Sequence, residues 1–173
     1  MRSAAQRMGA LNSRLTRALA VPTDIPLANA APLLCAGITT YSPMVKHGLN
    51  KPGMRIGVVG LGGLGSMALQ FGRAFGCVVT AISTSPKKEA EARKLGATNF
   101  LVSTDAEAMK KAVGSLDGII DTVAADHDIN TFLSLIDVEG KYVLVGAPPT
   151  PLQLRSMSLS ALGSVQPRWL DTR

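Results

Sequence analysis

Between Met54 and Phe75 the chain reads MRIGVVGLGGLGSMALQFGRAF, and no other stretch constrains the fold as tightly. Arg55-Ile-Gly-Val-Val is a short run rich in β-branched residues, the pattern of a strand buried on both faces. The turn Gly60-Leu61-Gly62-Gly63-Leu64-Gly65 then places glycines at the first, third and sixth positions of G-x-G-x-x-G. After it, Leu64, Met67, Ala68, Phe71 and Phe75 recur at helical spacing and predict one apolar stripe. Strand, glycine turn and helix stand in the order that a dinucleotide site requires. Gly60 permits the tight turn, Gly62 admits the backbone to a pyrophosphate, and Gly65 brings the helix close to the strand. The helix N-terminus offers its unpaired N–H groups to the phosphates.

The rest of the chain extends this unit. Gly76 closes the first helix, and Cys77 to Ile82 form the second strand. A charged helix runs to Leu95 and stops at Gly96, followed by a third strand over Asn99 to Val102. A helix from Asp105 to Val113 leads to a fourth strand, Gly118 to Val123. One from Asp128 to Ile136 leads to a fifth, Lys141 to Val145. Alternating strand and helix predict right-handed βαβ units, and so an α/β fold with a doubly wound parallel Rossmann sheet. Such a fold has six strands when complete. Ser164 to Trp169 makes a poor sixth because Pro167 interrupts its ladder, so the sheet is expected to stop at five. That leaves Lys141 to Val145 as an unpaired edge through which a homo- or heterodimer could form.

The 173 residues carry a net charge of +6, which resembles a nucleic-acid signal until it is located. Residues 1–20 hold Arg2, Arg7, Arg14 and Arg17 without an acid, and the rest of the excess lies beyond residue 150. The stretch between is balanced, so no basic face for nucleic acid is expected. No apolar run reaches the roughly 18 residues of a membrane span. The two cysteines, Cys35 and Cys77, set up no disulfide framework and point to a reducing, cytoplasmic setting. Residues 1–20 read as a basic, atypical segment with some likeness to an organellar leader. Residues 21–53 form a helical linker region, 54–154 the nucleotide-binding domain and 155–173 an irregular tail.

The position that selects the cofactor lies about 20 residues beyond the glycine turn, where an acid would bind the ribose hydroxyls of NAD. Here it is occupied by Ser83, Thr84 and Ser85. Ser85 is expected to cap the next helix, with Pro86 at its first position and Lys87 and Lys88 in its first turn. Cations there oppose the helix dipole unless an anion sits beside them. Three hydroxyls, two lysines and no acid favour the 2′-phosphate of NADP over NAD.

The segments PLANAAPLLCAGITTYSPM, KPGMRIGVVGLGGLG, VTAISTSPKKEAEARKLGA, DGIIDTVAA and GKYVLVGAP closely resemble zinc-dependent medium-chain alcohol dehydrogenases. The likeness is strongest to the NADP-dependent cinnamyl alcohol dehydrogenase branch and covers Val21 to Leu154. It implies an oxidoreductase interconverting primary alcohols and aldehydes. Within it, Cys35 matches a ligand of the catalytic zinc and Thr39 a threonine near the nicotinamide. Gly60 to Gly65 match the pyrophosphate loop, and Ser83, Thr84, Ser85 and Lys88 the 2′-phosphate site. Thr122 and the Val145-Gly146-Ala147 backbone match contacts to the nicotinamide-side ribose and carboxamide. The family's other zinc ligands have no counterpart, so the expectation is a cofactor-binding domain without its catalytic half and with zinc not retained. No catalytic residue is assigned. A small aldehyde or alcohol would be handled only with that half supplied. Two alternatives remain open: a non-catalytic nucleotide-binding module that pairs with a full-length relative, and a zinc-free enzyme of the quinone-reductase type.

Overall fold

The computed structural model describes residues 21–156 and the backbone of 164–167. The readings made for residues 1–20 and for most of the 155–173 tail lie outside the described residues. The chain divides into two compact units between Leu33 and Leu34. In the first, Pro26 precedes a short helix α1 (Leu27–Ala30), which tightens into a 3-10 turn.

The second unit contains α2 (Ala36–Lys46), β1 (Arg55–Val59), α3 (Gly63–Ala74), β2 (Val78–Ser83), α4 (Glu89–Leu95) and β3 (Asn99–Val102). It continues with α5 (Ala106–Lys111), β4 (Leu116–Asp121), α6 (Ile129–Leu133), β5 (Ile136–Leu144) and β6 (Ser164–Pro167). The sheet order is β3-β2-β1-β4-β5-β6, and every pairing is parallel. This is the doubly wound arrangement, with β1 in the middle and the chain leaving it in both directions. The β-branched runs are buried on both faces because helices cover both. Ile56, Val58 and Ile120 face a core shared with Met44, Leu69 and Val79. Val59 and Ile119 face the opposite core, with Met109, Phe132 and Tyr142.

Two expectations about the sheet are corrected. Ser164–Pro167 does pair, with Lys141 opposite Ser164 and Leu144 opposite Pro167. Pro167 is tolerated because it ends an edge strand, where a missing N–H costs least. The edge expected at Lys141 to Val145 is therefore covered, and β6 forms the outer edge instead. In addition, β5 begins five residues earlier than its apolar run suggests. Between Leu116 opposite Ile136 and Gly118 opposite Lys141 the register shifts, and the extra residues bulge outward. Val138 is 78 % exposed there. Glu139, exposed beside it, has φ 62°, a left-handed conformation that disfavours a side chain. Replacing Glu139 with glycine should stabilise the protein by about 1 kcal/mol, a rise of a few degrees in Tm. A lowered melting temperature in calorimetry would refute this.

The first Rossmann helix also differs from its sequence pattern. Leu64, Met67, Phe71 and Phe75 are only half-buried, whereas Gly65, Ala68, Leu69 and Gly72 lie against the sheet. The contact face consists mainly of small residues because helix and strand approach so closely. A Cβ on Gly72 would stand 2.8 Å from Ile56 Cδ1 and 2.7 Å from Val79 Cγ2. The aromatic flank packs sideways onto α2. Tyr41 meets Phe71 edge-on at 5.3 Å and Phe75 at 5.6 Å between ring centroids.

At the amino ends of the strands Arg55 ties three of them together. Its guanidinium reaches Asp117 on β4 and, at 2.9 Å, Asp137 on β5. The hydrogen bonds from Arg55 hold the Asp117 carboxyl below the usual carboxylate range. This cluster lies at the opposite end of the sheet from the glycine turn.

Candidate functional site

The carboxyl ends of β1, β4 and β5 converge on the turn that leads into α3. Gly60 leaves β1 with φ 87°, and its N–H donates to Ile82 O at 3.1 Å. A Cβ on Gly65 would stand 1.9 Å from Gly60 O, so only glycine lets the helix start this close to the strand. Gly62 and Gly63 behave in the opposite way, since a Cβ on either meets nothing within 4 Å. The turn is thus locked on its protein side and open on its outer side. There the first N–H groups of a 12-residue helix point outward without intrahelical acceptors. This open cradle fits a dinucleotide diphosphate.

Thr122 forms the adjoining wall. Its hydroxyl donates to Val59 O at 2.7 Å and lies 3.4 Å from Gly60 O, while its N–H donates to Val59 O at 3.0 Å. Gly146 lies behind it. Its N–H donates to Asp121 O at 3.0 Å, and a Cβ there would be 2.0 Å from Val123 O. Val145 is buried and Ala147 is exposed. The structure therefore brings Gly60 to Gly65, Thr122, Val145, Gly146 and Ala147 to one end of the sheet.

Ser83 ends β2 beside this group, and its hydroxyl accepts from Ser85 N at 3.3 Å. Pro86 to Lys88 form a 3-10 turn before α4, and Ser85 makes no side-chain capping bond. The cap expected of Ser85 is therefore not formed: a 3-10 turn, in which Lys88 N donates to Ser85 O at 3.3 Å, replaces the first helical turn. Thr84, Lys87 and Lys88 are exposed. Ser83 and Ser85 are half-buried beside them.

Cys35 and Thr39 stand apart from these bonds at the start of α2. Cys35 is exposed, and Thr39 is half-buried with its N–H donating to Cys35 O at 3.0 Å. Among the described residues no group of three or more His, Cys, Asp or Glu could hold a metal ion. Catalytic zinc takes three protein ligands, so the described residues fit a dinucleotide and do not fit a zinc ion.

The sequence model of a family described as zinc-binding dehydrogenase matches residues 63–167, from the glycine turn to the end of β6. The chain belongs to the zinc-binding dehydrogenase family. A probable mannitol dehydrogenase of Fragaria ananassa is 59 % identical over 135 residues, which are 78 % of this chain and 38 % of that one. A cinnamyl alcohol dehydrogenase structure from Sorghum bicolor superposes with TM-score 0.83 at 54 % identity. The superposition covers 86 % of this chain and 42 % of that one. A Helicobacter pylori CAD solved in complex with NADP(H) superposes with TM-score 0.76 at 34 % identity, covering 86 % and 42 %. The chain spans about two fifths of these relatives. What it holds is the doubly wound sheet domain of this family, in the part of the relatives that the matches cover.

Sequence reasoning passed over one cluster beside this site. Asp121, the last residue of β4, is fully buried. Its carboxylate accepts from Tyr142 Oη at 2.6 Å, from His127 Nε2 at 2.7 Å and from Val123 N at 2.9 Å. Burial, and then the Asp121 charge, push the Tyr142 phenol far above its ordinary range, which keeps it a donor. The available signal was an acid at the end of the apolar run Gly-Ile-Ile, since a buried charge needs partners.

Proposed function

We propose that this chain binds NADP(H) and serves as the cofactor-binding part of an alcohol dehydrogenase interconverting primary alcohols and aldehydes. The observation that carries the reading is the pairing of an open glycine turn with an acid-free, hydroxyl- and lysine-bearing end of β2. Backbone N–H groups of Gly62 to Gly65 would bind the diphosphate. Ser83, Thr84 and Ser85 would donate to the 2′-phosphate, with the Lys88 ammonium balancing its charge. Thr122 and the Val145–Ala147 backbone would orient the ribose and carboxamide on the nicotinamide side. When bound, the dinucleotide supplies the hydride that turns an aldehyde into a primary alcohol, and a proton completes the product. The relatives differ in the substrate they are named for, mannitol or cinnamyl alcohol, so the substrate class here stays at small aldehydes and alcohols. Cys35 would contribute one thiolate to the family's zinc only within a larger set of ligands.

Titration of the 173-residue chain with NADPH and NADH, followed by nicotinamide fluorescence, tests the proposal. Charge-assisted contacts to the 2′-phosphate should favour NADPH by roughly 10- to 100-fold. Equal affinities, or a preference for NADH, would refute it.

A further inference from the structure

His127 lies in the loop between β4 and α6, outside the residues assigned to the cofactor. Its Nε2 is 2.7 Å from Asp121 Oδ2, and its Nδ1 is 2.8 Å from Ala125 O. Each ring nitrogen stands within hydrogen-bond distance of one of these oxygens, so the imidazole bridges the end of β4 and the loop backbone. Tyr142 Oη and Val123 N also donate to Asp121, which anchors that end of the bridge. The ring stacks obliquely on Phe132 at 5.8 Å and is only 13 % exposed.

The other charged groups near the ring are engaged elsewhere or lie across an open cavity. Asp126 accepts from the Thr150 hydroxyl. Asp128 accepts from Asn130 and Thr131, and Arg155 shares the cavity wall. The contact with Asp121 therefore spans the loop from its first residue almost to its last. Thr122 and Val123 lie inside that span, and both touch the glycine turn. A Cβ on Gly60 would stand 2.9 Å from Thr122 Oγ1 and 3.0 Å from Val123 Cγ2.

We propose that His127 is a positioning residue for the nucleotide pocket: its ring bridges Asp121 and Ala125 and holds Thr122 and Val123 against the glycine turn. The proposal rests on the NADP(H) reading for its consequence, though not for the bridge itself. A side chain that reaches neither oxygen leaves this loop without its cross-link, so the pocket wall loosens.

The test uses the full chain with NADPH as the probe, comparing wild type, His127→Gln and His127→Leu. His127→Leu should bind NADPH roughly tenfold more weakly. His127→Gln, which keeps a donor for Asp121, should recover most of that loss. A His127→Leu protein that binds as tightly as wild type, or a His127→Gln protein as weak as His127→Leu, would overturn the proposal. Amide hydrogen exchange judges the bridge without the ligand: the Thr122 and Val123 amides should exchange roughly tenfold faster in His127→Leu, and unchanged exchange would overturn it too. If wild type ignores NADPH, the cofactor reading fails, and the exchange rates still judge the bridge.

Discussion

Replacing Gly65 with alanine should cost at least about 3 kcal/mol of stability and abolish nucleotide binding. The added methyl would lie 1.9 Å from Gly60 O and 2.9 Å from Gly60 C. Both are main-chain atoms, so no side-chain rotation relieves the overlap. Either the helix must back away from β1 or the turn must open, and both undo packing that holds the interior at close to crystal density. Such a loss is a large fraction of the total stability of a domain. Gly62→Ala supplies the contrast, because its methyl enters open space at a backbone of φ −92°. That variant should fold within about 0.5 kcal/mol of wild type while losing affinity for NADPH, since its methyl occupies the side on which the diphosphate would lie. Urea midpoints and NADPH titrations on the two variants separate a glycine needed by the fold from one needed by the ligand. A Gly65→Ala protein within about 1 kcal/mol of wild type would mean that the helix start is far more compliant than the geometry indicates.

The architecture was readable because its signals are local. The glycine turn, the β-branched runs and the glycines ending the helices each fix a short piece of backbone, and parallel strands follow from alternation alone. What the sequence did not display depends on how close two elements come or on which distant residues meet. The apolar stripe Leu64–Phe75 was a real pattern, but it faces α2 through Tyr41. Glycines at 65 and 72 face the sheet, and their role becomes visible only once the helix is seated. Pro167 argued against a strand in general, and only its place at an outer edge removes the objection. The bulge at Glu139 follows from a register shift between β4 and β5 that no periodicity encodes. In the candidate site, the glycine turn follows β1 and Ser83 ends β2, as local pattern indicates, while the helical turn expected from Ser85 to Lys88 is a 3-10 turn. The cluster of Asp121, His127 and Tyr142 joins a strand end, a loop and a neighbouring strand, so no window of sequence contains it.

That cluster should also be the most sensitive polar point of the fold. Asp121→Ala should lower stability by about 3–5 kcal/mol, because it removes one acceptor and strands three donors. Tyr142 is fully buried, so its Oη is left without an acceptor, and Val123 N and His127 Nε2 lose their partner with it. Tyr142→Phe removes one donor and leaves the carboxylate two, so its cost should be nearer 1 kcal/mol. The two changes share a hydrogen bond and should not add. In the double variant the phenol is no longer orphaned, so the combined loss should fall short of the sum by about 1 kcal/mol or more. Equilibrium urea unfolding of the four proteins gives the coupling directly. If Asp121→Ala costs less than about 1 kcal/mol, or the two losses simply add, the buried carboxylate is not holding these strands and the loop together. The site wall at Thr122 would then owe its position to the strand ladder alone.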